Sequence, residues 1–203
     1  MLPQGIPAPG GAVAYRYRRG DGEVNTLYQL GLGVFTANGL APYDSWSAFK
    51  SVLESGLAAL DAASPLSEKG DLWCIIRYMD FFTKQHLVGI SSREFFSEVV
   101  GVDYKELDSA RALSSSGGAS SMRFFYMTRD EAGNELSLDV GEGNLQEKPG
   151  IVMNTSVTSS ALAGVGFAEV LECFDRLQTT AHNVFFEMVN RSERVKSNLQ
   201  LRG

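Results

Sequence analysis

From Val165 to Met188 the chain keeps one helical pattern without interruption. Phe167, Val170, Leu171, Phe174, Leu177, Ala181, Val184, Phe185 and Met188 fall on the apolar positions of a 3.6-residue period. A rod of that length with one apolar side has to be buried against a second layer. A shorter rod with the same need is predicted from a cap at Asp44 or Ser45 to about Ala62. Its stripe is Trp46, Phe49, Leu53, Leu57 and Leu60, and Pro65 and Gly70 punctuate its end. Glu169 and Glu172 near the start of the long rod, and Arg191, Arg194 and Lys196 near its end, complement the helix dipole.

The layer that these rods need is supplied by strand patterns. Val13, Tyr15 and Tyr17 alternate with Ala14, Arg16 and Arg18, which predicts a strand over Val13–Arg19 with one solvated face. Gly20-Asp21-Gly22 provides turn chemistry. A second strand is predicted over Asn25–Phe35, with Gly31 and Gly33 on the face where a helix could approach. Asn38–Tyr43 reads as a connection. Leu72–Phe82 is apolar on both faces, which places it in the middle of a sheet. Ser92 is the expected cap of a short helix through Phe95, Phe96, Val99 and Val100, stopped by Gly101. Val102–Leu113 is ambiguous, and Ser114–Ser121 has the composition of a flexible loop. Met122–Thr128 and Leu136–Val140 read as a hairpin, and Ile151–Ser159 as a last strand. This order predicts an α+β chain: an antiparallel sheet, helices packed mainly on one face, and a long carboxy-terminal helix. Residues 1–11, rich in Pro and Gly, are expected to be a flexible lead-in to a single domain over 12–203.

Composition narrows the functions. Lys+Arg total 18 against 24 Asp+Glu, a formal net charge of −6. A broad basic footprint for nucleic acid is absent. No apolar run is long enough to span a bilayer. The start, MLPQGIPAPG, lacks the basic and apolar regions of a secretory signal, so the expected location is cytoplasmic. Two cysteines, Cys74 and Cys173, and two histidines, His86 and His182, are too few for a Cys/His zinc cluster, and neither metal nor cofactor is expected. Both cysteines sit in apolar surroundings that suit buried thiols, while a disulfide between them stays open.

Three stretches carry a family resemblance: Leu27 to Leu60; LWCIIRYMDFF, with its Arg77-Tyr78 pair and Asp80; and FAEVLECFDRLQTTAHNVFFEMV. In this order they resemble a sporadically distributed family of bacterial and archaeal proteins without an established activity. The resemblance implies an intracellular α+β protein. The family's extra first strand and helix have no counterpart here, which implies a natural short form or a fragment. Gln178 stands where family members often have His, so His182 is not its equivalent. The sporadic distribution also implies a place in a prokaryotic defence or toxin-control system.

Few residues offer chemistry. Gly31-Leu32-Gly33 lies inside a strand pattern and does not open a helix, so it is not a nucleotide loop. Arg77, Tyr78 and Asp80 on one strand, and Asp175, Gln178 and His182 on one helix face, form the candidate polar site. Arg77 falls with Trp73 and Ile75, where a buried guanidinium would need a partner such as Asp175. Asp130, Glu131, Asn134 and Glu135 lack the ligand spacing of a calcium loop. Tyr15, Arg16, Tyr17, Arg18 and Arg19 form a candidate interaction edge, because an edge strand offers unpaired backbone groups to another chain. The expected function is a non-catalytic interaction or assembly module, with a protein partner or a homo-oligomer. The alternatives are a small hydrolase using Arg77, Asp80 and His182, and a weak nucleic-acid binder through the amino-terminal Arg/Tyr cluster.

Overall fold

The computed structural model describes residues 13–19, 26–39, 45–103 and 121–199. The predicted lead-in and most of the 102–121 stretch lie outside them. The architecture is α+β with antiparallel sheets, as the pattern order predicts, but the strands divide into two sheets. The chain forms two compact units, Met1–Gly70 with Ala163–Leu171, and Asp71–Leu162 with Glu172–Gly203.

The first unit is a three-stranded meander of β1 (Val13–Arg19), β2 (Thr26–Gly31) and β3 (Val34–Gly39) in sequence order. The single strand expected over Asn25–Phe35 is thus a hairpin. Gly33 adopts φ +71, a left-handed conformation that turns the chain between Gly31 and Val34. The glycine punctuation therefore marks a turn and not a groove for a helix, and Leu32 at its tip is exposed. Asn38 belongs to β3, where its amide donates to the Leu27 carbonyl at 3.0 Å.

Helix α1 (Trp46–Ala63) starts at Ser45, whose hydroxyl accepts from the Ala48 N–H. It buries Val52, Leu53 and Leu57. The helix meets the sheet at Gly56, where an added Cβ would lie 2.7 Å from both the Phe35 and the Tyr28 rings. Tyr28 fixes the approach by donating its hydroxyl to the Val52 carbonyl at 2.7 Å. Gly56→Val is therefore expected to destabilise by about 2 kcal/mol through overpacking. Ala58→Val, on the exposed side of α1, should change stability by only about 0.5 kcal/mol. Urea unfolding of both variants checks this, and equal effects would remove Gly56 as the contact point.

The second unit holds a four-stranded sheet in the order β4 (Ile75–Thr83), β7 (Lys148–Thr158), β6 (Glu135–Leu145), β5 (Arg123–Arg129). The apolar run around β4 predicts a central strand, yet β4 lies at the sheet edge. Its two apolar faces have different fates. Ile76 and Phe82 are buried, while Met79 on the other face is exposed. Adjacent Leu72 pairs antiparallel with Leu162 outside the strand. The β6–β7 hairpin turns at Gln146 and Glu147, both at positive φ, as a tight two-residue connection requires.

Three helical segments complete this unit's core. Helix α2 (Ser92–Phe95) continues as a π-helical turn over Phe96–Val100. Its cap is Ser91 and not Ser92, because Ser91 and Glu94 form a reciprocal capping box. Gly101 ends it at φ +81, as the sequence predicts. Helix α3 (Phe167–Val189) begins in the first unit and continues in the second. Helix α4 (Glu193–Asn198) is separate, so Arg194 and Lys196 do not lie at the end of α3 as expected. Arg194 instead donates to the carboxylates of Glu94 and Glu98. Phe82, Val140, Ile151 and Met153 from the sheet pack with Phe95, Val99, Met188, Val189 and Val195 from the helical segments.

Candidate functional site

The paired β4 and β7 strands divide the predicted polar residues between two faces. Ile76, Tyr78, Asp80 and Phe82 oppose Val157, Thr155, Met153 and Ile151 across the ladder, so Asp80 is directed to the core side. Burial raises its pKa from 3.8 to about 6. Arg77 lies on the other face and is exposed, which corrects its expected place on a buried face. No desolvated guanidinium therefore calls for a carboxylate there. On α3, Asp175 and Gln178 are half-buried and His182 is exposed, its ring 4.4 Å from that of Phe186. Arg77 and Asp80 cannot converge on one concavity from opposite faces of the same strand, so the arrangement lacks the shared pocket a hydrolase would need.

The structure instead brings together residues that sequence reasoning treated as inert. The chain before β4 pairs with the chain after β7: the Ser159 N–H donates to the Cys74 carbonyl, and the Cys74 N–H donates to Ser159 Oγ, each at 2.9 Å. Cys74 shares the core-side parity of Ile76, which turns it toward α3. There it neighbours Cys173, and each thiol shifts the acidity of the other. Both are free and buried. Ser159 Oγ, which accepts from the Cys74 N–H, lines the same cavity as Cys173. One turn along α3, Arg176 brings a positive charge to the Cys173 sulfur.

These contacts drive the two thiols apart in acidity. The hydrogen bond from Cys74 lowers the Cys173 pKa, with Ser159 and Arg176 adding to the effect against burial. The hydrogen bond to Cys173 raises that of Cys74, and burial adds to it. Cys173, Ser159 and Arg176 line a cavity of about 490 Å³ together with Thr128, Asn134 and Thr180. Among the described residues, no group of three or more His, Cys, Asp or Glu could hold a metal ion. The individual signals were visible in the sequence, but the cysteines are 99 positions apart, and strand pairing together with the packing of α3 brings them near each other.

The predicted interaction edge has a different character. β1 is an outer strand of its sheet. Tyr15, Arg16, Tyr17 and Arg18 are all exposed, the tyrosines by 60% and 61%. Arg19's side chain lies outside what the structure describes. Comparison with protein-family models, curated proteins and solved structures finds no match to the chain.

Proposed function

We propose that the chain is a non-catalytic recognition module that takes an extended, acidic segment of a partner protein along β1. The observation that carries this reading is an edge strand whose four described side chains are all solvent-exposed. The outer side of an edge strand offers backbone donors and acceptors to an added strand. Tyrosine adds contact area at little entropic cost, and arginine reads carboxylates. A segment alternating acidic and apolar residues would oppose Arg16 and Arg18 on one face and Tyr15 and Tyr17 on the other. Self-pairing through β1 would gather the arginines of two copies, so the reading favours a different chain over a second copy. Free thiols and the absence, among the described residues, of a helix able to cross a membrane support a reducing, cytoplasmic setting.

Fluorescence anisotropy with a labelled peptide alternating Glu and Tyr tests this on the full chain. Saturable binding is expected, weakening with salt and falling at least about tenfold in Arg16→Glu, a loss of roughly 1.4 kcal/mol. Equal binding of a block-sequence peptide of the same composition would overturn the reading. So would binding of single-stranded nucleic acid at low salt with no peptide binding.

A further inference from the structure

We propose that Cys74 and Cys173 form a peroxide-reactive dithiol, in which Cys173 attacks a small hydroperoxide in the adjoining cavity and Cys74 resolves the product into an intramolecular disulfide. The proposal rests on the second unit alone and is independent of β1.

The geometry assigns the two roles. Cys173 lines the cavity of about 490 Å³, whereas Cys74, on the chain leading into β4, does not. Ser159 and Arg176 line the same cavity as Cys173, and Ser159 Oγ accepts from the Cys74 N–H at 2.9 Å. Together with the Cys74 thiol they favour the Cys173 thiolate, the reacting form of cysteine. Arg176 and Thr180 line the cavity and are exposed, so it opens to solvent. The sulfur-bearing residues themselves are only 2% and 3% exposed. A small hydroperoxide fits a cavity of this size, and the burial of both cysteines disfavours the in-line approach of a bulky disulfide such as oxidised glutathione.

The chemistry balances in two steps. The Cys173 thiolate attacks one peroxide oxygen, an S–O bond forms, and the O–O bond breaks. Sulfur gives up two electrons, the leaving oxygen takes a proton and departs as water, and Cys173 becomes a sulfenic acid. The Cys74 sulfur then attacks the Cys173 sulfur. An S–S bond forms, the S–O bond breaks, and the hydroxide leaves with the Cys74 proton as a second water. Two thiols have lost two hydrogens and one hydrogen peroxide has become two waters. The product would join the chain preceding β4 to α3.

The test uses the full folded chain, treated with hydrogen peroxide in one arm and oxidised glutathione in the other. With peroxide, both thiols are expected to be lost together, with an intact mass lower by two hydrogens and a Cys74–Cys173 cross-link in the digestion map. Dithiothreitol should restore both. Cys173→Ser should leave Cys74 unreacted at the same dose, and Cys74→Ser should stop at Cys173 carrying added oxygen. Arg176→Gln should shift the pH midpoint of Cys173 alkylation upward. The wild-type cross-link map decides the matter if a serine variant fails to fold. Thiols that stay free in the folded chain but oxidise in urea would overturn the proposal. A stable Cys173 oxyacid beside a free Cys74 would overturn the resolving role. Glutathione attached to Cys173 would overturn the small-peroxide assignment.

Discussion

Phe82→Ala is expected to destabilise the second unit by about 3–5 kcal/mol, the range for emptying a buried aromatic site. Phe82 is only 2% exposed and stands where the sheet meets two helical segments. Its ring packs edge-on against Phe95 at 4.9 Å between centroids and stacks with Phe185 at 6.5 Å. Removing it leaves a void walled by groups on separate elements, which cannot close over it without moving the sheet or the helices. A loss of this size is a large part of the ~5–15 kcal/mol that holds a typical domain together. Phe125→Ala is the matched control, because that ring is exposed on β5 and its loss should stay within about 0.5 kcal/mol. Urea midpoints read both, and a Phe82 effect no larger than the Phe125 effect would refute its place at the centre of the core.

Asp80→Asn is expected to stabilise the chain at neutral pH, by an amount on the order of 3 kcal/mol. Burial raises the folded-state pKa of Asp80 from 3.8 to about 6. Between those values the folded chain retains a proton that the unfolded chain has released. The wild type therefore loses stability as pH rises through this window, and the full penalty persists above it. Asparagine has nearly the same shape and cannot ionise, so the variant lacks this slope. Glu94 acts in the opposite sense, since its hydrogen bonds from Ser91 and Arg194 hold its pKa down at about 2. The difference between wild type and Asp80→Asn cancels that contribution, which is present in both. Urea unfolding at several pH values should give curves that meet near pH ~4 and separate toward pH ~6. Parallel curves would show that the Asp80 carboxyl is solvated in the folded chain.

Local rules were legible where neighbours in sequence decide the outcome. The Ser45 cap, the stop at Gly101 and the buried face of α1 follow from side chains a few residues apart. Reading failed where the decision lay elsewhere. Leu72–Phe82 looks central because both of its faces are apolar, but a strand's place in a sheet depends on partners, and among the described residues β4 has a strand neighbour only in β7. Glycines at 31 and 33 suggested close helix packing, whereas the close approach occurs at Gly56, a glycine inside an unbroken helical pattern. Of the polar residues singled out, Arg77 and Asp80 lie on opposite faces as strand parity requires, and that parity keeps them from forming one site.

The amino-acid order by itself determined the two long rods and the strands that begin at Val13 and Arg123, because backbone preference and amphipathic period are set within a few residues. It also determined that Cys74 and Cys173 each belong in apolar surroundings. Only the tertiary structure decided that Cys173 shares a cavity with Ser159 and Arg176, that Ser159 Oγ accepts from the Cys74 N–H, and that β1 is left at an edge. Each of those outcomes depends on residues far apart in the chain, and their meeting is fixed by strand pairing and helix packing, which no local pattern encodes.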